Sequence, residues 1–465
     1  MNILARHPRS YPQERAFVFD VVLSEGIGIP WVSIPEDRPD VELSLDDTTT
    51  DRIVLADTVF SHPEQSWPDC LRLPDAPLPM LRGDWIRDAI GADDVPVLFG
   101  RPETSGAWVE AQGDALRLGV DIFGAVFVLL TRLEELGDVA RDAHGRFPAR
   151  ASLAHRLGFL DRPLADEYVE LLRGLVNRVF PGVTSTRPAY GEDLSHDIDF
   201  VDGRRLGVRG AIRASARDLI TNRAPRVAGR RLASLPLRPI VGPRCDVFNT
   251  FAELMDLSEE HGRKSTFFFI AGRTPGGIFD DNYEIDEPWV RKVMRSIDQR
   301  GHEIGLHGSY NSYASQPQLV KELDALRGVL REEGIQTDPI GCRQHYLRFE
   351  PATTWPSQAD AGLAYDATLG FADAPGFRAG TCRAFPVFDV AARRRIPLRE
   401  RPLTVMDTTI LDPAYLGLTS DDAVRTVERL KASCRRVGGT FSLLWHNTML
   451  VTPTQQALYR EILSC

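Results

Sequence analysis

The feature that most constrains the fold of this chain is a set of short apolar runs, each ending in acidic residues or histidines that can bind a metal or transfer a proton. The clearest polar patches read SHDID at 195–199, GHEIGLH at 301–307 and LWH at 444–446. Apolar runs of this length are typical of buried parallel strands, whose carboxyl ends meet at the same edge of a sheet. The pattern therefore predicts a parallel α/β fold with chemistry at that edge.

Strand and helix patterns alternate from about residue 192 to the end of the chain. Strands are predicted near 193–200, 265–270, 302–307, 339–343, 364–369, 402–406 and 440–445, and helices near 249–262, 287–300, 315–334 and from 420 onward. About seven β/α units favour the fold class α/β, with a distorted (β/α)7-type barrel over residues 190–465. A doubly wound open sheet is the alternative.

Residues 1–185 have a different texture and are predicted to form an N-terminal accessory α/β domain. Strand-like runs at 17–23 and 95–99 are separated by acidic and proline-rich loops, and helical spacing appears at 122–136 and 165–179. This half shows no cluster of catalytic residue types in its sequence. The chemistry is therefore expected in the second half.

Composition narrows the class of protein. The formal charge of −10 argues against general nucleic-acid binding. Neither a signal peptide nor an apolar run long enough for a membrane span is evident. The six cysteines are scattered without a Cys-x-x-Cys pair, which is typical of reduced thiols and predicts a cytoplasmic protein.

A strongly basic segment interrupts the second half. Residues 203–244 carry eleven arginines and a single acid, Asp218, with apolar residues between them. Such a segment indicates a surface for an anionic substrate or a peripheral contact with an anionic membrane. The alternative is a solvated insertion that pairs with the acidic remainder of the chain.

Asp197 and Asp199 are the first candidates for a metal site. They lie two residues apart on a predicted strand, so both side chains point to the same face, whereas His196 points to the other. Two neighbouring carboxylates repel each other unless a cation or a proton lies between them. This pair could therefore supply a metal ligand and a general base.

His307 is the better metal-ligand candidate of the second patch. His302 lies five residues earlier and faces the opposite side of a strand, which predicts a structural role for it. Asn311 would share a face with His307 if one helical turn followed the strand. Because Asn is a poor zinc ligand, completion of the shell by His345 or His196 stays open.

Two further residues follow apolar runs and could serve catalysis. Arg343 could hold a catalytic carboxylate through a charged hydrogen bond. His446, at the end of the last strand, could protonate a leaving amine. Asp366 and Asp407 are the candidate partners that would orient His446.

These patches together resemble the motifs of the polysaccharide deacetylase superfamily, also called carbohydrate esterase family 4, over about 192–450. SHDID at 195–199 is similar to the family's Thr-Phe-Asp-Asp-Gly, but a residue separates the two acids. HGSYN at 307–311 is similar to His-Ser/Thr-x-x-His, with Asn in place of the second His. RQHY at 343–346 resembles Arg-x-Pro-Tyr/Phe, and LWH at 444–446 resembles Leu-x-His. The stretch at 142–152 resembles the accessory domain of a bacterial surface-polysaccharide branch.

The resemblance implies roles for individual residues. It implies a divalent metal, with zinc the expected ion, held by Asp199, His307 and Asn311. The two aspartates could exchange roles because their spacing is altered. It also implies that Asp197 is the base and that Arg343 orients it. The backbone N–H of Tyr346 would stabilise the oxyanion, and His446 would be the general acid.

The implied function is metal-dependent hydrolysis of an N-acyl group, acetyl or formyl, on an amino sugar or glycan precursor. Two alternatives remain at this point. The same fold could carry a catalytically silent carbohydrate-binding or assembly protein, for which Asn311 is the motive, or a hydrolase of another linear or cyclic amide.

Overall fold

A computed structural model describes residues 2–45, 50–75, 77–183, 185–221, 223–273, 279–280, 282–336 and 339–465. The strands in these ranges are β1 Ile3–Pro8, β2 Trp31–Glu36, β3 Asp40–Ser44, β4 Arg52–Ala56, β5 Met80–Arg82, β6 Asp94–Pro96, β7 Val109–Gln112, β8 Ala115–Leu118, β9 Gly191–Ile198, β10 Ser265–Ile270, β11 Glu303–Gly308, β12 Gly341–Gln344, β13 Tyr365–Asp366, β14 Phe385–Asp389, β15 Arg394–Glu400, β16 Val405–Met406 and β17 Thr440–Leu444.

The α-helices in the same ranges are α1 Pro12–Phe19, α2 Asp84–Ile90, α3 Ile122–Leu130, α4 Leu153–Arg156, α5 Leu164–Val179, α6 Gly207–Ile220, α7 Pro225–Val241, α8 Phe251–Glu260, α9 Pro288–Gln299, α10 Gln316–Glu332, α11 Thr354–Asp360, α12 Asp407–Leu411, α13 Ser420–Val437 and α14 Pro453–Ser464. In the described part of the chain, none of them combines the length and the apolar character that a membrane span requires.

The N-terminal region is built on a mixed sheet in the order β2-β1-β3-β4-β8-β7, with β5 and β6 forming a separate pair. The prediction of a strand at 17–23 is wrong. Helix α1 ends at Phe19, and a π-helical stretch continues it over Asp20–Ile27. Most of this run is buried, and a short apolar run has no periodicity that separates a buried helix from a strand.

The C-terminal region is built on a sheet in the order β14-β15-β13-β12-β11-β10-β9-β17-β16. The recorded pairings are parallel apart from the antiparallel pair of β14 and β15. The mixed α/β class follows directly. In the described residues, β14 and β16 are the two ends of this sheet, and its closure into a barrel stays a prediction.

The two regions pack tightly against each other. A continuous hydrophobic core includes residues of both sheets, and Phe388 of β14 meets Phe17 and Phe127 of the N-terminal helices at ring-centroid distances of 5.0 and 5.3 Å. Arg378 donates to both carboxylate oxygens of Glu135, at 2.9 and 2.6 Å, where both side chains are buried. The division into an accessory domain at 1–185 and a catalytic domain at 190–465 stays a prediction.

Candidate metal centre

Strand β9 delivers the two aspartates and sets which residues face them. Asp197 lies on β9 and Asp199 immediately follows it, so the alternation of the strand directs them to the same side. His196 points the other way, where its Nδ1 donates to the backbone oxygen of Trp445 at 2.7 Å. Burial lowers the pKa of His196 to about 3, so this imidazole is neutral and structural.

Asp199, His307 and His345 bring three ligand atoms together, all within 4.8 Å of one another. Asp199 Oδ1 lies 3.3 Å from His307 Nε2 and 3.4 Å from His345 Nε2. Ligands about 2.0–2.1 Å from a tetrahedral zinc are separated by ~3.3 Å. The spacing of these donors therefore suits a zinc-sized cation.

Hydrogen bonds at the far side of both rings aim their Nε2 atoms at Asp199. His307 Nδ1 lies 2.8 Å from the backbone oxygen of Arg343, and His345 Nδ1 lies 2.8 Å from a carboxylate oxygen of Asp280. With Nδ1 as the donor in each case, the Nε2 lone pairs remain available. This tautomer is the one that a metal ligand needs.

The electrostatics of Asp199 also favour a cation. Its Oδ1 is buried and accepts no well-formed hydrogen bond from a described residue. Burial raises the pKa of Asp199, but the imidazoles of His345, His307 and His446 outweigh burial and leave the pKa below its ordinary value. Burial likewise lowers the pKa of His307, and the charges of Asp197 and Asp199 outweigh it and raise the pKa.

The structure does not bring Asn311 to this cluster. The strand continues through His307 to Gly308, so the helical turn that would align positions 307 and 311 is absent there. Asn311 is exposed, and its side-chain oxygen accepts a hydrogen bond from Arg348 at 2.5 Å. His302 is structural, as predicted from its spacing, because its Nδ1 accepts from the backbone N–H of Ser265 at 3.0 Å.

Asp197 belongs to a second, adjoining set of contacts. Arg343 Nη1 donates to Asp197 at 3.0 Å and to Ser195 Oγ at 2.7 Å, while its Nε donates to the backbone oxygen of Ala367. The Asp197 carboxylate also lies 3.7 Å from His307 Nε2. The two aspartates are thus divided: Asp199 faces the imidazoles, and Asp197 faces the guanidinium at the edge of the same cluster.

His446 is held by Asp407 and not by Asp366. Its Nδ1 lies 2.7 Å from Asp407 Oδ1, and its backbone N–H donates to Oδ2 at 2.6 Å. Burial lowers the pKa of His446, but Asp407, with Asp199 and Asp197, outweighs burial and raises the pKa to about 10. Asp366 instead accepts hydrogen bonds from Gln358 and Thr368. His446 can therefore hold a proton with its Nε2 3.7 Å from Asp199.

A cavity of about 280 Å³ opens onto this cluster. The described residues that line it are Arg146, Asp197, Asp199, His307, His345, Tyr346, Leu347, Met406, Thr408, Asp412, Tyr415 and His446. Tyr346 and Leu347 both have positive φ angles, of 63° and 55°, which cost L-residues roughly 1–2 kcal/mol each. The buried Arg146 donates to the backbone oxygen of Tyr346 and so helps to hold this strained turn.

Three residues of the site were not assigned from the sequence. His345 was weighed only as an alternative, although its position two residues after Arg343 places both on the same face if the strand continues. No sequence pattern singled out Asp280, because it lies in a loop. Arg146 lies in the N-terminal half, where no chemistry was expected, and only its place in the stretch at 142–152 set it apart.

Comparisons with known proteins give limited matches. Residues 3–181 match a family of unknown function (DUF7033). The comparison with curated proteins gives no match.

Among solved structures, a protein described as a polysaccharide deacetylase from Mycobacterium smegmatis matches with 18% identity and a TM-score of 0.38, over 60% of this chain and 84% of its own. A family 4 carbohydrate esterase from Streptomyces lividans matches with 13% identity and a TM-score of 0.29, over 60% and 88%. The Puue allantoinase matches with 14% identity and a TM-score of 0.36, over 60% and 83%. Likenesses this distant carry no functional argument.

Proposed function

We propose that this protein is a metal-dependent hydrolase that removes an N-acyl group, acetyl or formyl, from an amino sugar or glycan precursor. The observation that carries the proposal is the convergence of Asp199, His307 and His345 beside the Asp197–Arg343 pair and His446. This set would supply a cation site, a carboxylate base and a protonated imidazole, which are the groups that amide hydrolysis needs.

Asp199, His307 and His345 would hold the metal through one carboxylate oxygen and two Nε2 atoms. When bound, a divalent cation such as zinc supplies Lewis acidity to an amide carbonyl and to water. Three protein ligands leave a coordination position for substrate or water, as catalytic zinc sites do. The buried Oδ1 of Asp199, which accepts no well-formed hydrogen bond from a described residue, supports this assignment.

Asp197 is the group that would take the proton from the attacking water. Arg343 orients it, and its bonds to Ser195 and Ala367 fix the guanidinium, so the carboxylate is presented in a defined position. Water attack on the carbonyl forms the new C–O bond while the water proton moves to Asp197. We assign this role to Asp197 and not to Asp199, because the Oδ1 of Asp199 faces two imidazoles.

His446 would deliver a proton to the leaving nitrogen as the C–N bond breaks. Asp407 accepts a hydrogen bond from Nδ1 and stabilises the protonated ring, which leaves Nε2 directed towards the cluster. The backbone N–H of Tyr346 is proposed as a donor to the carbonyl oxygen as it gains negative charge. The strained backbone of Tyr346, held through Arg146, supports a defined position for that donor.

The lining of the cavity favours a polar, hydroxyl-bearing substrate. Thr408, Asp412, Tyr415 and Arg146 add hydrogen-bonding groups around the cluster. The silent carbohydrate-binding alternative rested on Asn311 standing where a third metal ligand was expected. His345 would take that place, which removes the reason for this alternative. Hydrolysis of another amide remains as an outcome for the experiment to separate.

The proposal is tested by product detection with purified zinc-loaded protein. The substrates are N-acetyl and N-formyl amino sugars together with linear and cyclic amides. We expect free amine from the sugars, and Asp197→Asn and His446→Gln each to lower kcat by about 10²–10⁴-fold, as loss of a general acid or base does.

Matched substitutions at exposed positions, Asp421→Asn and His155→Gln, should leave kcat unchanged. Full activity in both site variants would contradict the mechanism. Turnover of the plain amides without the sugars would move the function to the amide-hydrolase class.

A further inference from the structure

The basic segment at 203–244 forms a pair of helices, α6 and α7, that pack on each other. The buried side of α6 is Ala211, Ser215 and Asp218, and Asp218 accepts a hydrogen bond from Arg231 of α7 at 3.0 Å. The segment's single acid is therefore used inside the helix pair. The outward sides of both helices carry arginine without acidic neighbours from the segment itself.

Exposed apolar side chains concentrate on these two helices. Among the described residues, ten large apolar side chains are exposed, and eight of them lie on α6 or α7. Val208, Ile212 and Leu219 are 50–60% exposed and share one side of α6 at helical spacing. Ile220 and Ile240 are 80% exposed. Such clustering marks an interaction surface, since scattered exposed apolar residues are the norm on soluble proteins.

Arginines lie beside the apolar row of α6. Arg209, Arg213 and Arg217 follow at i, i+4 and i+8 and are exposed, about 80–160° around the helix from the apolar row. Among described residues, no salt bridge engages these three guanidinium groups. An apolar row flanked by arginine is the pattern of a helix that lies in the plane of a membrane interface.

Both ends of the segment that forms the helix pair lie beside the candidate catalytic centre. It follows β9, which carries Asp197, and the side-chain amide of Asn447 donates to the backbone oxygens of Phe200 and Phe248, at 2.8 and 3.0 Å, on either side of the segment. Asn447 is the residue after His446. A surface that binds α6 and α7 would therefore be anchored next to the catalytic edge of the sheet.

We propose that α6 and α7 form a docking surface for an anionic lipid bilayer. Apolar side chains gain nothing from a phosphate backbone, which argues against nucleic acid as the occupant. A second copy of the same face would bring rows of arginine against each other, and that repulsion argues against self-association. An anionic bilayer can satisfy both features, because its acyl chains contact the apolar row and its anionic headgroups pair with the arginines. This inference does not depend on the proposed hydrolysis.

The test is co-sedimentation of the full chain with vesicles. We expect binding to vesicles of phosphatidylglycerol and phosphatidylcholine in equal parts, and binding at least about tenfold weaker to pure phosphatidylcholine. Arg209→Glu/Arg213→Glu/Arg217→Glu and Ile212→Ser/Leu219→Ser should each weaken binding to the mixed vesicles at least about tenfold. The matched control Arg425→Glu/Arg429→Glu changes exposed arginines on α13 and should not.

Circular dichroism and the unfolding midpoint establish that each variant is folded. Equal binding to both vesicle types, no binding, or binding that survives both α6 variants would overturn the proposal. So would concentration-dependent self-association, in vesicle-free solution, that the Ile212→Ser/Leu219→Ser variant abolishes. Turnover of a water-soluble substrate should be the same in the α6 variants as in the native chain. Failure of the docking test therefore does not contradict the proposed reaction, and failure of the activity test does not contradict membrane docking.

Discussion

His345 reaches the metal cluster through the alignment of two neighbouring strands. The register of β11 and β12 places His307 opposite Arg343, and His345 follows two residues later, beside the end of β11. Asp280 then fixes the ring from a loop that is 65 residues away in sequence. The ligand set therefore depends on pairing between strands, whereas the sequence suggested Asn311, four residues after His307 along the chain.

Zinc binding distinguishes His345 from Asn311 as the third ligand. His345→Ala removes an Nε2 donor from the cluster and should abolish stoichiometric zinc after dialysis, whereas Asn311→Ala should retain it because Asn311 bonds Arg348 instead. Elemental analysis of the two purified variants beside the native protein gives the measurement. Loss of zinc from Asn311→Ala with retention by His345→Ala would reverse the assignment.

At the scale of single elements, the pattern of apolar residues was a good guide where strands are buried on both faces. The predicted strand at 265–270 coincides with β10, all of whose residues are buried. The run at 17–23 has a similar apolar content but belongs to a helix and its π-helical continuation. Both runs are buried, and only the packing of the neighbouring elements decides which conformation buries them best.

Asp121 caps helix α3 and gives this element a pH dependence. Its carboxylate accepts from the backbone N–H groups of Thr58, Val59 and Gly124, yet burial, with the charge of Asp57, raises its pKa from 3.8 to about 6. A carboxyl whose pKa is raised on folding stabilises the fold fully below the unfolded pKa and loses that contribution as pH rises through about 6.

The contribution lost as pH rises from below 3.8 to above 6 is about 3 kcal/mol in total, because each pKa unit corresponds to about 1.4 kcal/mol. Asp121→Asn cannot ionise, so its penalty in unfolding free energy relative to the native protein should shrink by about that amount from pH 4 to pH 7. Urea unfolding of both proteins at a series of pH values measures the difference. A penalty that is constant with pH would contradict the raised pKa.

At the scale of the whole molecule, the two sheets are joined by a buried network of charges. Glu135, from the turn after α3, accepts from Arg132 of its own region and from Arg378 of the other. Burial raises the pKa of Glu135, but Arg378 and Arg132 outweigh burial and lower the pKa, so the carboxylate is charged. Among the described residues, removal of this anion leaves the buried guanidinium of Arg378 without a carboxylate partner, whereas Arg132 keeps its salt bridge to Glu134.

Glu135→Ala should therefore lower the free energy of unfolding by about 3–5 kcal/mol. The exposed pair of Arg460 and Glu260 gives the matched control, since Glu260→Ala should cost less than about 1 kcal/mol. Chemical denaturation of both variants beside the native protein measures the two costs. Similar losses in the two variants would show that the buried network does not join the halves as described.

The sequence by itself determined the mixed α/β class, the alternation of elements after residue 192 and most residues of the candidate site. It placed Asp197, Asp199, His307, Arg343 and His446 at strand ends, because strand periodicity and the chemistry of a side chain are local properties. Only the tertiary structure decided which residue is the third candidate metal ligand and which carboxylate pairs with His446. It alone also showed that the N-terminal region contributes to the cavity lining. His345 and Arg146 line the cavity, while Asp280 and Asp407 hold the Nδ1 atoms of His345 and His446. Strand register and loop paths bring these residues together, and both are set by packing between segments far apart in the chain.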